Sequence, residues 1–148
     1  MKDKTKKTRL LLVDDEEEFL IATSQALERR GFEVTTAANG SDALELLTES
    51  EYDVAVVDVK MPGLAGDELF REIKRRWPYV PVVMLTGHGT MTQAFTISKE
   101  GVHDYLTKPC DMNHLAKVAR QAAYERRARR VEESGKDGVR KIMERYQD

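Results

Sequence analysis

The chain has 148 residues, about the length of one globular domain, with 41% hydrophobic and 34% charged residues. This composition is typical of a folded protein with a solvated surface and argues against overall disorder. The formal net charge of −2 argues against a chain dominated by nucleic-acid or membrane electrostatics. The single cysteine, Cys110, excludes an intramolecular disulfide, and the sequence has neither a long apolar segment nor a signal peptide. We therefore expect a cytoplasmic protein that makes no use of a membrane.

Strand-like and helix-like patterns alternate along the chain. Short apolar runs of strand length are followed by segments whose apolar residues recur with helical period. The predicted strands cover 9–13, 32–37, 54–57, 81–85 and 102–106. The predicted helices cover 16–30, a short segment around 43–47, 66–76, 90–99 and 112–130. Gly31 is placed to end the first helix, and the turn Asn39-Gly40-Ser41 supplies an N-cap for the second.

Five consecutive strand–helix units predict a parallel sheet with right-handed connections. Five units are too few to close an eight-stranded barrel. We therefore expect an α/β, flavodoxin-like (βα)5 fold, a doubly wound five-stranded parallel sheet with strand order 2-1-3-4-5. The domain is expected to cover 8–130, followed by a charged C-terminal extension, 131–148, with the pattern of one or two amphipathic helical turns.

Four of the predicted strands end at polar residues. These are Asp14 and Asp15, Asp58, Thr86 and Lys108. Because neighbouring parallel strands end at one edge of a sheet, we expect these side chains to meet there. Three adjacent carboxylates repel one another and favour a bound cation. Hard oxygen ligands with no His or Cys nearby in sequence favour Mg²⁺.

The remaining strand-end residues indicate phosphoryl chemistry. The Lys108 ammonium and the Thr86 hydroxyl suit the oxygens of a phosphoryl group. No Ser, Cys or His stands immediately at the acidic ends of the first and third strands, so the candidate acceptor is a carboxylate. Asp58 is that candidate, and it would form an acyl phosphate.

Together these motifs resemble the receiver domain of bacterial two-component response regulators. The residues that carry the resemblance are Asp14-Asp15, Asp58 with Met61-Pro62-Gly63, Thr86-Gly87, and Tyr105 ahead of Lys108-Pro109. The resemblance implies a signalling switch rather than an enzyme. By this resemblance, Asp58 would take a phosphoryl group from the phosphohistidine of a sensor histidine kinase or a histidine phosphotransfer protein, as in a phosphorelay.

The resemblance also implies a metal-ligand set. Asp15 and Asp58 would bind Mg²⁺ directly, Asp14 largely through water, and the backbone carbonyl of Lys60 would complete the protein ligands.

A switch is implied as well. Thr86 and Lys108 would hold the phosphoryl oxygens, and Thr86 would move together with Tyr105 on phosphorylation. The face formed by the fourth helix (90–99), the fifth strand and the fifth helix (112–130) would then change its partners. We expect phosphorylation to promote a homodimer through that face.

Several alternatives stay open. A phosphorylation-independent receiver-like scaffold or protein-interaction module would keep the fold without using the acids. An aspartate-nucleophile phosphatase would need a second acid two residues after its nucleophile, where Lys60 stands. The basic cluster 126–130 is followed closely by the acidic residues Glu132 and Glu133. This mixture of charges argues against direct DNA binding by this chain. We expect either a stand-alone protein or the receiver piece of a longer regulator.

Overall fold

A computed structural model describes residues 6–61, 63–87 and 101–126. The strands are β1 (Thr8–Val13), β2 (Phe32–Ala37), β3 (Val54–Asp58), β4 (Val82–Thr86) and β5 (Asp104–Thr107). The helices are α1 (Glu17–Glu28), α2 (Gly40–Glu49) and α3 (Gly66–Arg76), and a further helix, here called helix 112–126, follows β5. The predicted helix 90–99 and the extension 131–148 lie outside the described residues. None of the described helices combines the length and the apolar composition that a membrane-spanning helix needs.

The five strands form one parallel sheet in the order β2-β1-β3-β4-β5, which confirms the predicted flavodoxin-like topology. Val13 pairs with Val57, and Asp58 pairs with Leu85. This register brings the ends of β1, β3, β4 and β5 to the same edge of the sheet, here called the carboxyl edge. Residues that directly follow these strands are therefore neighbours in space.

Two apolar layers cover the sheet. All five residues of β3 are buried, and their side chains alternate between the two faces. On one face α2 and α3 contribute Leu47 and Leu69, and on the other α1 and helix 112–126 contribute Leu27 and Leu115. Full burial of a leucine side chain contributes about 1.5–3 kcal/mol. The two layers enclose β3, which lies in the middle of the sheet.

The observed element ends differ from the predicted ones by a few residues. Glu16 has an extended backbone (φ −89°, ψ 105°) and is the N-cap of α1 rather than its first residue. Gly31, with φ +96°, follows the end of α1, as predicted. Asn39 caps α2, because its side-chain oxygen accepts a hydrogen bond from the Asp42 backbone N–H at 2.8 Å. Strand β3 extends one residue further than its apolar run, because Asp58 still pairs with Leu85.

Candidate functional site

Three carboxylates meet at the carboxyl edge. Asp14 and Asp15 follow β1, and Asp58 is the last residue of β3. One carboxylate oxygen from each residue lies within 4.8 Å of the others. Asp14 and Asp58 are only 1% and 6% exposed, whereas Asp15 is exposed. The structure therefore brings the three acids together as expected from the sequence, with one of them open to solvent.

Backbone hydrogen bonds fix the positions of these acids. The Asp14 N–H donates to the Ala37 carbonyl at 3.1 Å, and an Asp14 side-chain oxygen accepts from the Glu16 N–H at 2.9 Å. Beyond β3, the Val59 N–H donates to the Leu85 carbonyl at 3.2 Å. The carboxylates thus sit on backbone that is tied to the neighbouring strand or to the start of the next helix.

Asp58 occupies an environment that disfavours its charge. Burial raises its pKa to about 6, and the nearby Asp14 carboxylate adds to the increase. The Lys108 ammonium and a hydrogen bond from the Lys60 backbone N–H act in the opposite direction but do not cancel it. Three crowded oxygen donors, two of them buried, would be stabilised by a divalent cation. Such an all-carboxylate set fits Mg²⁺, which keeps several of its waters.

Lys108 lies beside the carboxylates and is held from several sides. Its Nζ donates to Asp14 Oδ2 at 2.6 Å and to Glu16 Oε1 at 2.9 Å. The same nitrogen lies 4.2 Å from the centroid of the Phe19 ring. Burial lowers the pKa of Lys108, but the hydrogen bonds to the two carboxylates outweigh it and raise the pKa above its usual value. Lys108 therefore carries a positive charge and lies beside the carboxylates.

Thr86 and Tyr105 lie on the same face of the sheet. Tyr105 pairs with Met84 across β4 and β5, and both contact the apolar layer that includes α2 and α3. Thr86, two residues after Met84, is buried and points to that same face. The Tyr105 hydroxyl is buried without a hydrogen-bond partner among the described residues, and burial raises its pKa. Thr86 and Tyr105 are therefore diagonal neighbours on this face of the sheet.

Two features of the site were missed in the sequence. Glu16 contacts Lys108, although the sequence shows it only as the third member of an acidic run, Asp14-Asp15-Glu16. Gly66 packs on the backbone of Asp58, which its position at a helix start does not reveal. Among the described residues, no histidine belongs to the carboxylate cluster. His103 lies 3.3 Å from Glu125, His114 is exposed, and His88 is outside the described residues.

Comparison with known proteins points to one family. The family model of the response regulator receiver domain matches residues 10–120. Transcriptional regulatory protein GlrR of Escherichia coli (strain K12) is 36% identical over 110 residues, which cover 74% of this chain and 25% of that protein. The C4-dicarboxylate transport transcriptional regulatory protein DctD of Rhizobium meliloti (strain 1021) is 32% identical over 137 residues, covering 88% of this chain and 30% of that protein. The chain thus spans less than a third of the length of these curated relatives.

Solved structures agree in fold over nearly their whole length. A crystal structure of a response regulator receiver domain protein from Clostridium thermocellum has a TM-score of 0.78 at 36% identity, covering 82% of this chain and 98% of that one. A CheY-like receiver domain protein from Methanospirillum hungatei JF-1 has a TM-score of 0.79 at 27% identity, covering 84% and 99%. The chain belongs to the response regulator receiver domain family of two-component signal transduction.

Proposed function

We propose that this receiver accepts a phosphoryl group on Asp58 and uses it as a reversible signal. The observation that carries the proposal is the environment of Asp58, a buried strand-end carboxylate beside two further carboxylates and an ammonium group. In the proposed reaction, an Asp58 carboxylate oxygen attacks the phosphorus of a phosphohistidine. A P–O bond forms, the P–N bond breaks, and the imidazole leaves with the bonding electrons and takes up a proton. The product is an acyl phosphate.

The residues around Asp58 suit this transfer, which depends mainly on positioning and charge neutralisation. Asp15, Asp58 and the Lys60 carbonyl would hold Mg²⁺ directly, and Asp14 would do so largely through water. Bound Mg²⁺ supplies charge neutralisation for the phosphoryl oxygens. Lys108 would provide a further positive charge, because its ammonium already lies 2.6 Å from Asp14 at the same edge of the sheet.

Thr86 and Tyr105 would transmit the phosphorylation state. The Thr86 hydroxyl would bind a phosphoryl oxygen, and its movement would free space on the face where Tyr105 lies. The Tyr105 hydroxyl supports this role, since it is buried without a hydrogen-bond partner among the described residues while the side chain packs against the apolar layer. The responding surface would include β5 and helix 112–126, and the phosphorylated form would associate as a homodimer through it.

The expected setting is cytoplasmic. The phosphoryl donor would be a sensor histidine kinase or a histidine phosphotransfer protein, and the domain would extend over 8–130. The curated relatives GlrR and DctD are transcriptional regulatory proteins. By this similarity, the receiver would control a transcriptional output.

Intact-mass spectrometry after incubation with Mg²⁺ and acetyl phosphate tests the proposal. We expect one added phosphoryl group in the wild type and in Asp104→Asn, whose carboxylate is exposed near the start of β5. Asp58→Asn should remain unmodified. An unmodified wild type would contradict the proposal and favour the phosphorylation-independent scaffold.

A further inference from the structure

The Lys108 ammonium is enclosed by three groups from one segment of the chain. Asp14, Glu16 and Phe19 all belong to the loop after β1 and the first turn of α1. Nζ lies 2.6 Å from an Asp14 oxygen, 2.9 Å from a Glu16 oxygen and 4.2 Å from the centroid of the Phe19 ring. The Lys108 side chain is only 15% exposed as a result.

These contacts occupy most of the hydrogen-bonding capacity of the Lys108 ammonium group. An ammonium group has three N–H donors, and two of them are engaged by the carboxylates while the ring face covers a further side. Among the described residues, Lys108 has no hydrogen bond or ion pair with Asp58, which affects it only as a nearby charge. Lys108 thus donates its described hydrogen bonds to Asp14 and Glu16 and not to the proposed phosphoacceptor.

The two carboxylates that hold Lys108 differ in their relation to Asp58. Asp14 has an oxygen within 4.8 Å of one on Asp58, so a lysine that keeps Asp14 can also reach a group on Asp58. Glu16 is not part of that carboxylate cluster, and its side chain is 65% exposed. The contact with Glu16 is therefore the one that Lys108 would exchange for a phosphoryl oxygen.

The geometry points to Glu16 as a positioning residue that competes with a phosphoryl group on Asp58 for the Lys108 ammonium. This inference rests on the proposed function and adds a restraint on the same site. Glu16 keeps Lys108 charged and close, but it opposes the movement that phosphorylation requires. Removing its charge frees the lysine, so Glu16→Gln should bind a phosphoryl mimic more tightly. An exposed ion pair is weak, and the expected gain is about two- to five-fold.

The probe is beryllofluoride, titrated at a fixed Mg²⁺ concentration and followed by NMR. Glu17→Gln is the matched control, because it removes the same charge from the next residue, which is exposed and has no described contact with Lys108. A general effect of lost negative charge would raise the affinity equally in both variants. We expect a two- to five-fold gain in Glu16→Gln beyond any gain in Glu17→Gln.

A double-mutant cycle with Lys108→Ala tests whether the effect passes through the lysine. In that background Glu16→Gln should change the affinity no more than Glu17→Gln does. Equal gains in the two single variants, or an undiminished gain without Lys108, would overturn the inference. If Lys108→Ala binds beryllofluoride too weakly to measure, the comparison of Glu16→Gln with Glu17→Gln tests the inference by itself. A wild type that binds no beryllofluoride would overturn the proposed function and this inference together, whereas normal wild-type binding with equal variants would overturn only the inference.

Discussion

Gly66 lies against the backbone of Asp58 so closely that a Cβ atom at position 66 would come within 1.9 Å of the Asp58 carbonyl oxygen. The Gly66 N–H also donates to the Val59 carbonyl at 2.9 Å. The first turn of α3 therefore rests directly on the end of β3. Backbone cannot move aside as a flexible side chain can, so the absence of a side chain at this position helps to set where Asp58 stands.

We predict that Gly66→Ala displaces either α3 or the end of β3. The expected cost is about 1–3 kcal/mol in the free energy of unfolding, as for other overpacked sites, together with weaker Mg²⁺ binding. Gly87→Ala is the control, since its Cβ would meet Lys108 at an ordinary 3.7 Å. Denaturant unfolding and calorimetric Mg²⁺ titration measure both effects. Equal stability and equal Mg²⁺ affinity in the two variants would contradict this account of Gly66.

The raised pKa of Asp58 predicts a pH-dependent penalty on stability. The folded pKa of about 6 exceeds the ordinary value of 3.8, so the folded protein binds more protons than the unfolded chain between these values. The stabilising contribution of protonated Asp58 to the free energy of unfolding is fully present below pH 3.8 and is lost as the pH rises through about 6. Without Mg²⁺, Asp58→Asn should therefore be more stable than the wild type above pH 6, by on the order of 1–2 kcal/mol after allowing for solvent screening.

Urea unfolding from pH 4 to pH 8 measures that difference. The two proteins should be nearly equal in stability at pH 4 and diverge up to about pH 7. Asp104→Asn, which removes an exposed carboxylate, should follow the wild-type curve. A constant offset between wild type and Asp58→Asn across the whole range would show that Asp58 is not the titrating group.

Bound Mg²⁺ should relieve the repulsion among the three carboxylates of Asp14, Asp15 and Asp58. A ligand that binds only the folded state adds about 1.4 kcal/mol of stability at ten times its dissociation constant. Asp15→Asn should weaken Mg²⁺ binding by tenfold or more, because the variant loses a proposed direct ligand and a negative charge. Glu17→Gln, which removes a nearby exposed charge, should keep most of the affinity. Thermal unfolding at increasing Mg²⁺ concentrations checks the ranking, and equal shifts in both variants would exclude Asp15 as a ligand.

The fold was readable from the sequence because its signals are local and repeated. The apolar runs at 54–57 and 82–85 and the glycine after α1 each mark an element without reference to the rest of the chain. The convergence of Asp14 and Asp58 followed from the parallel topology alone. The contact between Glu16 and Lys108 could not be predicted in this way, because it joins residues 92 positions apart through side-chain conformations. The role of Gly66 depends on the distance between two backbones, which residue type alone does not encode.

Removing the hydroxyl of Tyr105 should not destabilise the protein. The hydroxyl is buried and has no hydrogen-bond partner among the described residues, and a polar group buried in this way costs free energy. Tyr105→Phe should leave the free energy of unfolding unchanged or raise it by up to about 1 kcal/mol. Tyr124→Phe, at a side chain that is 72% exposed, should have no effect. A loss of more than about 1 kcal/mol in Tyr105→Phe would mean that the hydroxyl is satisfied in solution.

Chemical trapping of the acyl phosphate tests the claim that Asp58 is the phosphoacceptor. Borohydride reduces an aspartyl phosphate to homoserine, which peptide sequencing by tandem mass spectrometry locates in the chain. After treatment with Mg²⁺ and acetyl phosphate, the wild type should carry homoserine at position 58 and at no other aspartate. Homoserine at position 14 or 15 instead, or none at all in a protein whose mass shows the phosphoryl group, would contradict the claim.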